Sequence, residues 1–199
     1  MKYVMLVFML CTVLFISSSS MKAQDTKETT VTGFRGDFLH QLTDIEKKLE
    51  DLADAMPAES YAWRPADGVR SVSEVYIHIA SANWMFPGFW GAKKPDDLPK
   101  DMEKTITDKG KVIATLKESF KFIRESVANL SDADLDKTTK MFGEETTYRG
   151  AIFVAATHMH EHLGQSIAYA RMNKIVPPWT AAEQKEMEKK AAGKKKDGK

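Results

Sequence analysis

The sequence predicts an all-α protein, an up-down four-helix bundle behind a leader segment. Three observations carry this: four segments repeat apolar residues every three or four positions, breaker-rich stretches separate them, and no segment alternates with period two. The chain has 199 residues, 43% of them apolar, enough to bury the core of one domain. Its 29 basic and 28 acidic residues leave a net charge of +1, which gives no electrostatic footprint for nucleic acid. The one cysteine excludes a disulfide framework and a cysteine-based zinc site.

Residues 1–23 read as a signal peptide. Lys2 supplies a short positive start, Tyr3 to Ile16 form an apolar run of fourteen residues, and a serine cluster follows. The run is short for a membrane span. Cleavage fits after Ser20, with Ser at both −1 and −3, or after Ala23. Lipidation at Cys11 or retention as an uncleaved anchor are the weaker alternatives, so a secreted or periplasmic protein without stable membrane insertion is expected. Cys11 leaves with the leader, so the mature chain carries no thiol. Any thiol chemistry then needs a thiol brought by a substrate or cofactor.

The bundle is expected over residues 31–179. Phe34, Phe38, Leu42, Ile45, Leu49, Leu52 and Met56 recur at helical spacing up to Pro57. After a loop rich in Pro, Gly and Asp, Ser71-Val72-Ser73-Glu74 forms a capping box that opens a second helix. Its apolar residues Val72, Val75, Ile79, Ala82 and Phe86 lead to Pro87. A Pro-rich, charged connection covers 87–104, and Val112, Leu116, Phe120, Ile123, Val127 and Leu130 then mark a third helix. Ser131 to Lys140 reads as a polar turn, with one helical turn capped by Ser131 as an option. The fourth helix runs from about Thr147 to Asn173, where Asn173 suits a left-handed cap before Pro177-Pro178. Residues 180–199, with seven Lys, four acids and no aromatic, read as a disordered or frayed tail.

Five histidines are present, and two are four residues apart: His158 and His162 share one face of the fourth helix. That spacing lets two imidazoles bind one metal ion. The face continues through Gln165, a candidate to bond a ligand or orient a histidine that a structural hydrogen bond explains equally well, and Tyr169, a candidate pocket border whose default reading is a core tyrosine. A third ligand has to come from another helix, and His78 is the candidate, with Glu74 one turn before it as a possible acceptor for its second nitrogen. Three neutral imidazoles leave coordination positions open, as a catalytic site needs. His40 and His160 point away from these faces, and Glu161 is rotated about 100° from His162. Read from spacing alone, the pair also suits ordinary packing and His78 a hydrogen-bonded position at the core's edge. Trp63, Trp84, Phe86, Phe89 and Trp90 suit the core, a pocket mouth or a homodimer surface. No Ser-His-Asp, phosphate-loop or dinucleotide signature is present.

Trp63-Arg64-Pro65-Ala66, Gly68, Ser71-Val72-Ser73-Glu74-Val75, His78-Ile79-Ala80, Phe142-Gly143, His158-xxx-His162-Leu163-Gly164-Gln165 and Tyr169-x-Arg171 stand in one order along the chain. This pattern resembles the DinB/YfiT-like family of metal-binding four-helix bundles and covers about residues 33–179. The resemblance implies a metal triad of His78, His158 and His162 holding a divalent ion, zinc or nickel foremost. It also implies a metal-dependent hydrolase or a thiol S-transferase acting on a small molecule, with a non-catalytic metal- or ligand-binding bundle as the alternative. An export signal separates this chain from cytosolic low-molecular-weight thiols. Position 83, where many members carry an acid, is Asn83.

Overall fold

The computed structural model describes residues 31–197, so the leader expected over 1–23 lies outside the described residues. Four long helices form the body: α1 (Gly33–Ala55), α2 (Val72–Met85), α4 (Lys109–Ala128) and α5 (Tyr148–Met172). A four-residue helix α3 (Met102–Thr105) interrupts the connection before α4, and α6 (Pro178–Asp197) follows α5. Among the described residues no helix is long and apolar enough to cross a membrane.

Each long helix starts and stops where local chemistry says it should. α1 ends before Pro57, which cannot continue a helix, and buries the expected face of Phe38, Leu42, Ile45, Leu49 and Leu52. At α2 the capping box is formed: the Glu74 backbone N–H donates to Ser71 Oγ at 3.3 Å and the Ser71 N–H to Glu74 Oε2 at 2.7 Å. Asp108 caps α4 by accepting from the Lys111 N–H at 3.0 Å, and Thr147 caps α5 by accepting from the Gly150 N–H at 3.1 Å. α2 is buried on almost every side, Tyr76, Ile77 and Trp84 included, because α4, α5 and the turn after it all cover it.

The order of directions is not up-down-up-down. Lys109 at the start of α4 donates to the Asp54 carbonyl near the end of α1, and Arg35 near the start of α1 donates to Asp132 beyond the end of α4, so these two run antiparallel. Asn83 donates to Ser119 at 3.2 Å and Trp90 to Ser126 at 3.1 Å, which makes α2 and α4 parallel. Tyr169 donates to the Arg70 carbonyl while His158 meets His78, which makes α2 and α5 antiparallel. The Arg149 guanidinium lies 5.1 Å from the Phe34 ring centre, so α1 and α5 start at the same end. The directions are therefore up, down, down, up, and α1 and α2 each pack between α4 and α5. The expected up-down order is corrected for a physical reason: the connection 86–108 is long enough to return along the 14-residue α2, a rise of about 21 Å, before α4 begins.

Three smaller expectations are also corrected. A two-stranded hairpin, β1 (Thr138–Met141) with β2 (Glu144–Thr147), stands where no sheet was expected. Its threonines favour extended backbone, but their polar pattern shows no apolar alternation to read. Asn173 is not the left-handed residue; Lys174 is, at φ 62°, and Ile175 N–H donates to the Ala170 carbonyl at 2.9 Å in a Schellman closure. Of the stretch read as a disordered or frayed tail, residues 180–197 are helical, since Ala, Glu, Gln and Lys are good helix formers and Pro178 occupies a first-turn position where its missing N–H costs nothing. α6 is polar all round and touches the body near its start, through Trp179. Deleting residues 184–199 is therefore expected to move the thermal midpoint by less than about 2 °C, measured by circular dichroism.

Candidate metal centre

α2 and α5, crossing antiparallel, bring His78, His158 and His162 together, with one possible ligand atom from each within 4.8 Å of the other two. Their ring centres lie 5.1 Å apart for His78 and His158, 4.7 Å for His78 and His162, and 4.5 Å for His158 and His162. His40 and His160 stay exposed, the latter with its Nδ1 donating to the Ala156 carbonyl at 3.0 Å. The three histidines singled out as candidate ligands stand together.

Two of the three imidazoles have a fixed tautomer. His78 Nδ1 donates to Glu103 Oε1 at 2.7 Å, and His162 Nδ1 donates to Gln165 Oε1 at 2.8 Å, leaving a lone pair on each Nε2. Both partners lead to Arg70. Its Nε donates to Glu103 Oε2 at 2.8 Å, while its carbonyl accepts from the Tyr169 hydroxyl at 3.0 Å. Tyr169 in turn accepts from Gln165 Nε2 at 2.9 Å, and Trp63 packs edge-on against its ring at 5.3 Å. The tryptophan loop thus anchors the orientation of two imidazoles from behind.

His158 is held differently. It packs against Phe86 at 5.4 Å between ring centres, its buried Nδ1 has no partner, and its Nε2 faces His78 Nε2 at 3.2 Å. Two nitrogens of a tetrahedral site with bonds near 2.0–2.1 Å stand about 3.3 Å apart. The donor set and the spacing of the two Nε2 atoms therefore suit a cation held by three imidazoles.

Burial disfavours the charged form of two of the three imidazoles, His158 and His162. Burial, then the neighbouring His162 and His78, push His158 from the usual 6.5 to about 4. Burial likewise lowers His162, against the hydrogen bond to Gln165 that favours its charged form. At Glu103 burial alone would raise the carboxyl, but the hydrogen bonds from Arg70 and His78 outweigh it and hold it below its ordinary range. A histidine with a lowered folded-state pKa takes up its proton later than the unfolded chain does. Its stabilising contribution is present above pH 6.5 and is lost as pH falls toward 4. The metal-free protein should show a falling melting midpoint across that window, and His158→Ala should flatten the slope; a midpoint that rises on acidification would contradict this.

Glu74, expected beside His78, instead caps α2 and pairs with Arg64 at 3.1 Å. Glu103, on α3, occupies the role considered for it. Nothing local marked that residue, because it sits in a charged connection without periodicity. Asn83 is fully buried against Ser119 of α4, on the side of α2 away from α5. Gln165 accepts from His162, as the α5 face allowed, whereas Tyr169 is a buried core residue that holds Gln165 through its hydroxyl and lines no wall of the cleft that opens onto His78 and His158.

A cleft of about 520 Å³ opens onto His78 and His158, walled by Met85, Phe86, Phe142 and Val154, with Glu103 and Glu161 among its polar groups. Glu161 is exposed there and does not approach the imidazole cluster as a ligand.

Residues 41–166 match the family model of the DinB superfamily, well over half of the chain. The chain belongs to the DinB superfamily. Among curated relatives, the uncharacterized protein YjoA of Bacillus subtilis is 26% identical over 124 residues, covering 61% of this chain and 79% of that protein. The solved YjoA structure superposes with a TM-score of 0.58 at 18% identity, over 70% of this chain and 93% of that one. YfiT from Bacillus subtilis, described as a probable metal-dependent hydrolase with an unusual four-helix bundle topology, gives a TM-score of 0.57 at 18% identity, over 74% and 93% of the two chains. A conserved protein from Enterococcus faecalis gives 0.61 at 14% identity, over 71% and 97%. At these identities the structures establish the DinB-like fold.

Proposed function

We propose that this DinB-superfamily protein is an exported, metal-dependent hydrolase of small molecules, in which His78, His158 and His162 hold one divalent ion, zinc or nickel. The observation that carries the reading is the pair of Nε2 atoms, from His78 and His158, facing each other at 3.2 Å beside a cleft. Export is supported by the leader-like residues 1–23. The description of YfiT as a probable metal-dependent hydrolase supports the chemistry. A divalent ion at this place supplies Lewis acidity, polarising a carbonyl and letting water act as a nucleophile near neutral pH.

The chain's own residues do the rest. Glu103 and Gln165 keep hydrogen on Nδ1 of His78 and His162, so the opposite nitrogens stay available. Phe86 and Met85 wall the approach with apolar surface, which strengthens electrostatic interactions inside the cleft. With Cys11 inside the expected leader, a thiol reaction would use a thiol supplied by the substrate side.

The test is metal analysis and turnover on the mature protein. About one equivalent of zinc or nickel should bind after loading, with hydrolysis of small esters or amides that disappears in His162→Ala. Less than a tenth of an equivalent from zinc, nickel, manganese or iron would overturn the metal reading. Full occupancy with turnover only in thiol conjugation would replace hydrolase by S-transferase, and full occupancy with no turnover would leave a metal-binding bundle. Secretion of the full-length chain, with the mature N-terminus found after residue 20 or 23, tests the export reading.

A further inference from the structure

The tip of the hairpin holds an aromatic residue where backbone geometry disfavours one. β1 and β2 are joined by two residues, Phe142 and Gly143, both at positive φ, 52° and 94°. Paired positive φ is the signature of a type I′ turn, whose first position favours Asn, Asp or Gly. A bulky side chain there is strained, because Cβ crowds the backbone in the left-handed region. Strain of this kind persists where surrounding contacts hold it.

Burial of Phe142 does not repay that strain. The residue is 67% exposed, among the most exposed large apolar side chains of the described residues. It stands edge-on to Phe89 at 5.3 Å and to Phe86 at 6.4 Å, and Phe86 itself packs on His158. Phe142 is thereby part of the cleft wall, across from Met85, which is 41% exposed. An aromatic ladder runs from the histidine cluster out to the solvent lip.

We propose that Phe142 is a specificity-determining residue, the lip of a subsite that takes an aromatic or apolar arm of the substrate. The bond to be broken lies at the histidines, and the arm lies along Phe86 and Phe142. The proposal rests on the hydrolase reading for the word substrate, but its test needs no turnover. Met85, Phe86, Phe142 and Val154 present an apolar surface, so an arm of two fused rings gains from burial there and from edge-to-face contact.

The probes are 2-naphthamide, which carries an arm, and acetamide, which does not, titrated by calorimetry into the metal-loaded mature protein. Phe142→Asn is the informative variant, since Asn accepts the left-handed conformation that Phe resists. Its melting midpoint is expected to equal or exceed that of the wild type, while the Kd for 2-naphthamide rises at least fivefold. Phe142→Trp should keep the affinity within twofold, and acetamide should respond to neither change. A midpoint several degrees lower in Phe142→Asn would make the residue structural and overturn the proposal. So would an unchanged Kd for 2-naphthamide, no binding of that probe at all, or a change in oligomeric state in place of affinity. Intact, Phe142-dependent probe binding without any hydrolysis would sink the hydrolase reading alone. Hydrolysis with probe binding indifferent to Phe142 would sink only the lip.

Discussion

His158→Ala is expected to lower the affinity for zinc or nickel by more than about 100-fold, beyond the roughly 10–100-fold that losing an outer hydrogen-bond partner costs. One of the three proposed ligands disappears, and with it the nitrogen that faces His78 at 3.2 Å. The same change should hardly harm the metal-free fold. In the metal-free protein His158 makes one side-chain hydrogen bond, the 3.2 Å contact to His78, and its buried Nδ1 has no partner, so truncation forfeits little polar pairing. The melting midpoint of the metal-free variant should stay within a few degrees of wild type, while the rise in midpoint on adding metal disappears. Wild-type metal affinity in the variant would remove His158 from the site. A collapse of the metal-free fold would mean that the imidazole holds the bundle and not an ion.

Glu103→Ala is expected to weaken metal binding by roughly 10–100-fold although Glu103 is not among the three converging residues. The carboxylate does two things at once: it accepts from His78 Nδ1 and holds Arg70 Nε, at 2.7 and 2.8 Å. Without it His78 is free to rotate or to exchange tautomers, and the lone pair on Nε2 is no longer assured. Glu103→Gln keeps an acceptor oxygen for Nδ1 and should recover most of the affinity. Arg70→Ala should cost less than Glu103→Ala, since the Arg70 carbonyl that receives Tyr169 belongs to the backbone and survives. Nitrogen NMR of the His78 imidazole gives the readout a merely structural role would not move: the Nδ1–H form should dominate in wild type and become mixed in Glu103→Ala. Glu74→Gln is the control. Gln keeps an acceptor oxygen for the Ser71 N–H, so the α2 cap should survive, and the affinity for metal should stay unchanged.

These two predictions differ in how far the sequence announces them. The i,i+4 spacing of His158 and His162 is a local fact of helix geometry, and the same holds for Gln165 three residues further on. Glu103 is joined to His78 across 25 residues by a connection whose path depends on packing. Its residue type and spacing contain nothing that singles it out from Asp96, Asp97 or Asp101. Glu74 looked the better partner on helical spacing, but its carboxylate is already used by the Ser71 N–H and Arg64. Phe142 is similar: a Phe-Gly pair is visible in the chain, but its positive φ and its place over the cleft are not.

By itself the sequence determined the four long helices, the cap at Ser71, the start of the last long helix near Thr147, the buried faces of α1 and α4, and the histidine face of α5. All of these follow from interactions within a few residues, where helical periodicity and free N–H groups act directly. Only the tertiary structure decided the up-down-down-up order, because parallel α2 and α4 depend on how a long connection returns along the bundle and not on any helix's own pattern. Tertiary packing also placed His78 against His158, brought Glu103 and Arg70 behind the imidazoles, and put the hairpin's aromatic tip over the cleft. Contacts between residues far apart in the chain form when apolar faces are buried together, and spacing along one helix cannot encode which distant side chain will then lie within 3 Å.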